Sequence, residues 1–181
     1  PYAIAPAVVG VMANYFFSER FGLLYHLFNN LWGFNWYESV FDSYIYLIIA
    51  GSWKQISANF IFFLAGLQAI QRSVIEASMI DCKNSIRRFW TITFPLLMPT
   101  TFFLIIINIT YAFFDTFGII DTTTIGAPSG ETRTLVYKAY MDGFRGLDLG
   151  SAGAQSIMMM FIVLFITIFQ FRYIEGRIHY N

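Results

Sequence analysis

The sequence predicts an all-α integral membrane protein, and three observations carry that expectation. The first is composition. Of 181 residues, 57% are hydrophobic and 20% aromatic, while only 12% are charged. Soluble domains carry about a quarter charged residues, so too few charges remain here to coat a water-facing surface. The second is distribution: charges gather in short segments separated by apolar stretches near the roughly 20 residues that cross a bilayer as helix. The third is a single compact segment, 72–88, that holds most of the charge on one expected face of the membrane.

Other classes find little support. Net charge is zero, which gives no basis for nucleic-acid binding. Cys82 is the one cysteine, so no internal disulfide is available, and it has no adjacent base to make it a nucleophile. His26 and His179 lie far apart, without metal-ligand spacing. No catalytic, metal or cofactor motif is expected, and no Gly-rich phosphate loop that would hydrolyse ATP.

Four spans follow in order. Residues 1–18 are uncharged and read as the first. The chain opens on Pro1-Tyr2-Ala3-Ile4, without a basic n-region, which reads as entry midway into an apolar stretch rather than as a signal peptide. Residues 19–42 hold Glu19, Arg20, Glu38 and Asp42 among Asn, Gly and Trp, a loop with room for an interfacial helix. Residues 43–71, charged only at Lys54, form the second span, and the uncharged 89–114 the third. The polar segment 115–148 follows, then the uncharged fourth span 149–171 and a tail from Arg172 to Asn181. Alternation puts 72–88 and the tail on one side. They hold Arg72, Lys83, Arg87, Arg88, Arg172 and Arg177 in short lengths, against Arg20, Arg133, Lys138 and Arg145 on longer opposite segments. The basic excess predicts a cytoplasmic 72–88. Helix packing is expected at Ala65, Gly66 and Ala69, and at the small pairs Gly150/Ala154 and Ala152/Ser156.

The inner segment has its own pattern. Ser73 and Glu76 have capping-box spacing, which predicts a helix start. Ile75, Met79 and Cys82 then share a face. Asn84-Ser85 predicts a break and a new N-cap, and a second short helix runs from Ile86 to Thr93, ending before Pro95. The apolar stripe suits a partner's groove or a lipid surface. Physical chemistry alone leaves both open.

Glu76-Ala77-Ser78, then Cys82 after three residues, then Ile92-Thr93-Phe94-Pro95 after nine more, resembles the EAA loop of bacterial ABC importer permeases. That signature is Glu-Ala-Ala, three residues, Gly, nine residues, Ile-x-Leu-Pro. Ser78, Cys82 and Phe94 depart from it. The resemblance continues through Pro1 to Ala7, Leu64 to Ile70, Phe113 to Phe117 and Thr124-Ile125-Gly126-Ala127-Pro128, where Ala127 stands for a usual second Gly. It implies that residues 1–181 are a permease domain of the sugar-type family. Such domains usually have six spans, so the resemblance places the missing pair before Pro1. It also implies that 72–95 is the cytoplasmic coupling loop. Glu76 and Ala77 would meet the ATP-binding subunit, Ser78 and Asp81 would flank them, Cys82 would sit at the hinge, Ile92 would open the closing Ile-x-Leu-Pro of the motif, and Pro95 would mark re-entry into the membrane. The partners implied are a second permease, two ATP-binding cassette subunits, a periplasmic substrate-binding protein and the lipid of the inner membrane. The runs Thr134 to Lys138, Gly146 to Leu149 and Gln170 to Glu175 resemble members that import sn-glycerol-3-phosphate. A sugar or polyol is the alternative cargo.

Polar residues inside a membrane are costly and therefore candidates for function. Lys54, Gln55 and Asn59 lie in the second span, with Gln55 and Asn59 on one face. Asn108 and Tyr111 lie in the third, with Asp115 four residues on. Each has an ordinary alternative: Lys54 snorkels or pairs with a helix, Asn108 and Tyr111 bond between helices, and Asp115 serves structure. Arg133, Lys138 and Arg145 either meet the binding protein or form a solvated face. A membrane enzyme built on Asp115, Lys54 and Tyr111, or a truncated subunit that assembles without transporting, are the rival classes.

Overall fold

The computed structural model describes residues 1–174; the expected tail beyond them, with Arg177 and His179, lies outside the described residues. All regular structure within them is helical. Three stretches are long and apolar enough to cross a membrane: Val40–Ala69, Met98–Asp115 and Leu149–Arg172. The expected first span is shorter than its apolar run. Helix α1 covers only Pro6–Phe16, about 16 Å at 1.5 Å per residue, against a hydrocarbon core of about 30 Å. Pro6 fits its first turn, where a missing N–H goes unnoticed.

Segment 19–42 does hold a helix, α2, Leu23–Trp32, closed by Gly33 in the left-handed region at φ 66°. Leu23, Leu27 and Leu31 are all exposed along one side of it. The chain then returns through Phe34 and Trp36, which bury with Phe17 and Tyr46 in an aromatic cluster. Trp36 Nε1 donates to the Phe17 carbonyl at 3.1 Å, and the Tyr46 hydroxyl donates to Asn14 Oδ1 at 2.8 Å. The Ser43 hydroxyl also donates to the Trp36 carbonyl and the Trp36 ring stacks on Tyr46, which pins the end of segment 19–42 to the start of α3, Val40–Ala69.

Helix α3 has 30 residues, about 45 Å of rod. Ser39 caps it by accepting from the Asp42 backbone N–H. Helix α4, Arg72–Asp81, follows. Its start corrects the expected capping box: Gln71 is the N-cap, with no side-chain cap, and Ser73 lies inside the helix. Glu76 instead pairs with Arg72 at 3.1 Å. Asn84 behaves as expected, accepting from the Ile86 and Arg87 N–H groups at the start of α5, Ser85–Arg88.

The second short helix does not stop before Pro95. A wide π-turn, Phe89–Thr93, leads into α6, Phe94–Leu96, and Pro95 occupies the first turn of that restarted helix. There its missing N–H costs little. Helix α7, Met98–Thr110, then passes into a second π-segment, Tyr111–Asp115, and α8, Phe117–Thr122. The outer segment forms a loop over 123–134, α9 (Leu135–Tyr140), and a third π-segment (Met141–Arg145). Helix α10, Leu149–Ile174, completes the described chain.

Helix α1 packs on α8 and α3 around Val9, Ala50 and Ile119. Asn14 Nδ2 donates to the Thr122 carbonyl at 2.5 Å, and Thr122 Oγ1 donates to the Ala7 carbonyl at 3.2 Å. Of the expected small-residue contacts, two form. A Cβ on Gly66 would lie 2.8 Å from Thr100 Oγ1, so α3 and α7 approach closely there, and Ala152 packs against Gly143. Ala65, Ala69, Ala154 and Ser156 are exposed instead. Helix α10 turns Phe161, Phe165, Ile168 and Phe169 outward, a surface suited to lipid or to another membrane subunit.

Candidate functional site

One face of α3 carries Tyr44, Leu47, Ile48, Gly51, Ser52, Gln55, Ile56 and Asn59, a stripe at helical spacing. Together with Asn108, Tyr111 and Ala112 of the third span, Thr116, Ile119 and Ile120, and Thr132 and Thr134 of the outer loop, this stripe lines an open-sided cavity of about 510 Å³. Small-molecule sites commonly measure about 300–1,000 Å³. Gly51 leaves room for the Tyr111 ring, whose Cε1 would lie 3.9 Å from a Cβ placed there.

Four of the polar residues expected on the path thus meet at one cavity. Asn59 and Asn108 form a reciprocal amide pair: Asn108 Nδ2 donates to Asn59 Oδ1 at 2.8 Å, and Asn59 Nδ2 to Asn108 Oδ1 at 3.2 Å. Asn108 Nδ2 also donates to the Leu104 carbonyl at 2.7 Å, and Gln55 Nε2 reaches Asn108 Oδ1 at 3.4 Å. Gln55 is only 5% exposed and Tyr111 only 9%. Nevertheless Gln55 Oε1, the Tyr111 hydroxyl and Thr134 Oγ1 are buried without a hydrogen-bond partner. Such orphans are rare in native folds, and these three belong to side chains on one cavity wall.

Lys54 and Asp115 are placed elsewhere. Lys54 is buried, donates to the Tyr2 carbonyl, and does not line the cavity. Asp115 is exposed and also absent from the lining, so the expected polar stripe from Asn108 stops at Tyr111. The π-segment between them shifts the phase of the helix.

Tyr44, Ser52, Thr116, Thr132 and Thr134 were not singled out by sequence. The spacing of Tyr44 and Ser52 to Gln55 was the available signal. Thr132 and Thr134 arrive from a loop, where no period exists. That loop is held by Thr132 Oγ1, which contacts Thr124 Oγ1 at 3.0 Å and donates to the Ala127 carbonyl at 2.7 Å. The Tyr44 hydroxyl donates to the Glu131 carbonyl at 2.7 Å, tying the loop to α3. Gly126 sits at φ 90°, and a Cβ there would lie 2.5 Å from Arg133 Cγ. The Arg133 side chain therefore lies along the glycines, between two threonines that line the cavity. Farther out, Tyr137 donates to Asp121 at 3.3 Å; burial, and then the Asp121 carboxylate, push its hydroxyl pKa up.

The second candidate region is the segment 72–95. Glu76 and Ala77 are exposed on α4, and Ser78 is buried with its hydroxyl on the Ile75 carbonyl at 2.6 Å. Asp81 is the last residue of α4. Cys82 is half-buried at φ −132°, ψ 98°, ordinary extended backbone, so the junction makes no use of a left-handed residue. Ile92 is half-buried in the π-turn, and Pro95 is exposed.

Helices long and apolar enough to span a membrane, an exposed helical segment at 72–88, and a largely apolar cavity with a few amide and hydroxyl groups in its wall fit a membrane transport component. The chain belongs to the family of binding-protein-dependent transport system inner membrane components, whose model matches residues 1–180. It is 52% identical over 183 residues to the sn-glycerol-3-phosphate transport system permease protein of Rhizobium meliloti, and 51% identical over 184 residues to that of Agrobacterium fabrum. The protein of the same name from Escherichia coli O157:H7 is 47% identical over 183 residues. Each match covers the whole chain and 62% of the relative; the chain thus spans less than two thirds of their length.

Proposed function

We propose that this chain is the membrane-spanning core of a permease subunit in an ATP-driven importer, with sn-glycerol-3-phosphate as cargo. The observation that carries the reading is the cavity of α3 and the third span, where three buried polar atoms stand without partners in an otherwise apolar bundle. Unsatisfied polar groups at membrane depth are costly, and a small turn of each side chain toward the cavity would let a passing polar cargo satisfy them. The names of the relatives support the choice of cargo. Gln55, Asn59, Asn108 and Tyr111 form part of the path.

The segment 72–95 acts as the coupling loop toward an ATP-binding subunit. Glu76 and Ala77 make the contact, Ser78 and Asp81 flank it, Cys82 is the hinge, and Ile92 and Pro95 lead back to the membrane. The exposed Arg72–Glu76 pair contributes little to stability, so Glu76 is free to exchange partners on docking. Two ATP-binding subunits hydrolyse the nucleotide, a second permease completes the path, and a periplasmic binding protein delivers cargo.

A sugar or neutral polyol is the second reading, favoured by a lining that holds no charged side chain among the described residues. Uptake of labelled sn-glycerol-3-phosphate, with and without this subunit and with maltose as control, tests both. Uptake that depends on the subunit and is selective for the phosphate ester supports the first. Subunit-dependent maltose uptake supports the second, and uptake independent of the subunit overturns both.

A further inference from the structure

We infer that the cavity takes the hydroxyl-bearing end of a small polyol ester, while the ionised end is held by groups outside this lining. The inference rests on the proposed reading that the cavity is part of the cargo path.

It follows from the direction of a chain of amide bonds. The Leu104 carbonyl can only accept, so the Asn108 group facing it at 2.7 Å is the donating Nδ2. Asn108 Oδ1 must then receive the donors of Asn59 and Gln55. Gln55 therefore turns Nε2 toward Asn108 and leaves Oε1 as an unpaired acceptor. The network fixes the orientation of each amide from a single backbone oxygen. A phosphate monoester near neutral pH has lost most of its protons, with a second pKa of about 6, and offers acceptors only. Acceptor against acceptor repels. A cargo hydroxyl, by contrast, donates to Gln55 Oε1.

The other two orphans fit a hydroxyl-bearing end without selecting it; the selection rests on Gln55 Oε1. The Tyr111 and Thr134 hydroxyls donate or accept as required. Thr134 stands at the N-cap of α9 yet makes no cap bond, although that is the usual role of Thr there; its hydroxyl stays unspent. Neither Lys54 nor Arg133 lines the cavity. Lys54 is held by the Tyr2 carbonyl and Arg133 lies along Gly126. Among the described lining residues none is charged, and an unpaired ion buried in such a site is heavily penalised. The phosphate must be met by groups beyond this wall, on the partner side of the path.

The test uses the complete importer reconstituted in proteoliposomes, with the full-length subunit carrying Gln55→Met, Thr134→Val or Thr134→Ser. Each variant's flux is divided by the unsubstituted importer's flux for the same substrate, so the binding protein's preference cancels. The substrates are sn-glycerol-3-phosphate and propyl phosphate, which keeps the phosphate and lacks both hydroxyls; the latter is supplied at a concentration giving measurable flux. Gln55→Met and Thr134→Val are expected to lose roughly tenfold with the natural ester and less than roughly twofold with propyl phosphate. Thr134→Ser is expected to restore flux. Equal losses with both substrates would overturn the hydroxyl assignment alone. Unaltered flux with both, in complexes that co-purify intact, would overturn the path reading beneath it. If Gln55→Met fails to assemble, the Thr134 pair decides the matter by the same outcomes.

Discussion

Lys54 Nζ donates to the Tyr2 carbonyl oxygen at 3.0 Å and stands 4.8 Å from the centre of the Tyr2 ring. The Tyr111 ring lies on another side of it at 5.7 Å. A desolvated cation over aromatic faces gains about 2 kcal/mol, which with the carbonyl bond offsets part of the cost of burying a lysine without a carboxylate. Its work is to hold the opening segment of the chain against α3. Lys54→Met is therefore expected to leave uptake within roughly twofold of normal at equal complex levels. A tenfold fall would instead bring the ammonium into contact with cargo.

Asn108 is the hub of the cavity network. Asn108→Leu removes its bonds to Asn59, Gln55 and the Leu104 carbonyl together. Hydrogen bonds between membrane helices contribute about 0.6 kcal/mol each on average. A loss of about 1–2 kcal/mol in the complex is expected, read from its thermal unfolding midpoint, alongside a fall in uptake. An unchanged midpoint would show that the network carries no stability.

The Asn84 side chain caps α5, inside the proposed coupling segment 72–95. Asn84→Ala is expected to cost about 1 kcal/mol locally and to lower cargo-stimulated ATP hydrolysis. Asn84→Asp retains an acceptor and should keep stimulation. Equal losses in both variants would speak against the cap as the cause.

Cys82 is the chain's one cysteine, which makes labelling clean. In inside-out membranes a maleimide should modify it in the subunit alone and react at least several-fold more slowly once the ATP-binding subunits are bound. Labelling from the opposite face would reverse the assigned sidedness. Because the backbone here is extended rather than left-handed, Cys82→Ser should leave coupling intact.

The Tyr44 hydroxyl is the only side-chain tie from α3 to the outer loop recorded among the described residues. Tyr44→Phe should loosen that loop by about 1 kcal/mol. Faster amide exchange across 125–134, with unchanged protection in α3, is the expected signature.

Much of this architecture was legible because lipid imposes simple demands. Uncharged runs located α3, the third span and α10, and Asn84 announced its own cap. The stripe of Gln55 and Asn59, with Asn108 and Tyr111 opposite, could be read as two helical faces, though not that they meet. What escaped notice was of another kind. Ser73 and Glu76 had the spacing of a capping box, but Arg72 took Glu76 while the helix began at Gln71. Pro95 looked like a stop, yet a preceding wide turn let the helix restart around it. Thr132 and Thr134 reach the cavity through a loop whose path depends on Gly126 and Gly130 in the left-handed region, and no periodicity encodes such a path.

The three wide turns fall at Phe89–Thr93 after α5, at Tyr111 on the cavity wall, and where Gly143 meets α10. Each holds one residue more than a regular turn would. Moving that surplus residue along the rod swings every side chain it passes by about 100°, while the ends of the rod stay where they are. Tyr111 is the first residue of such a turn, so a shift of the surplus residue there would swing its hydroxyl off the cavity wall without moving the helix ends.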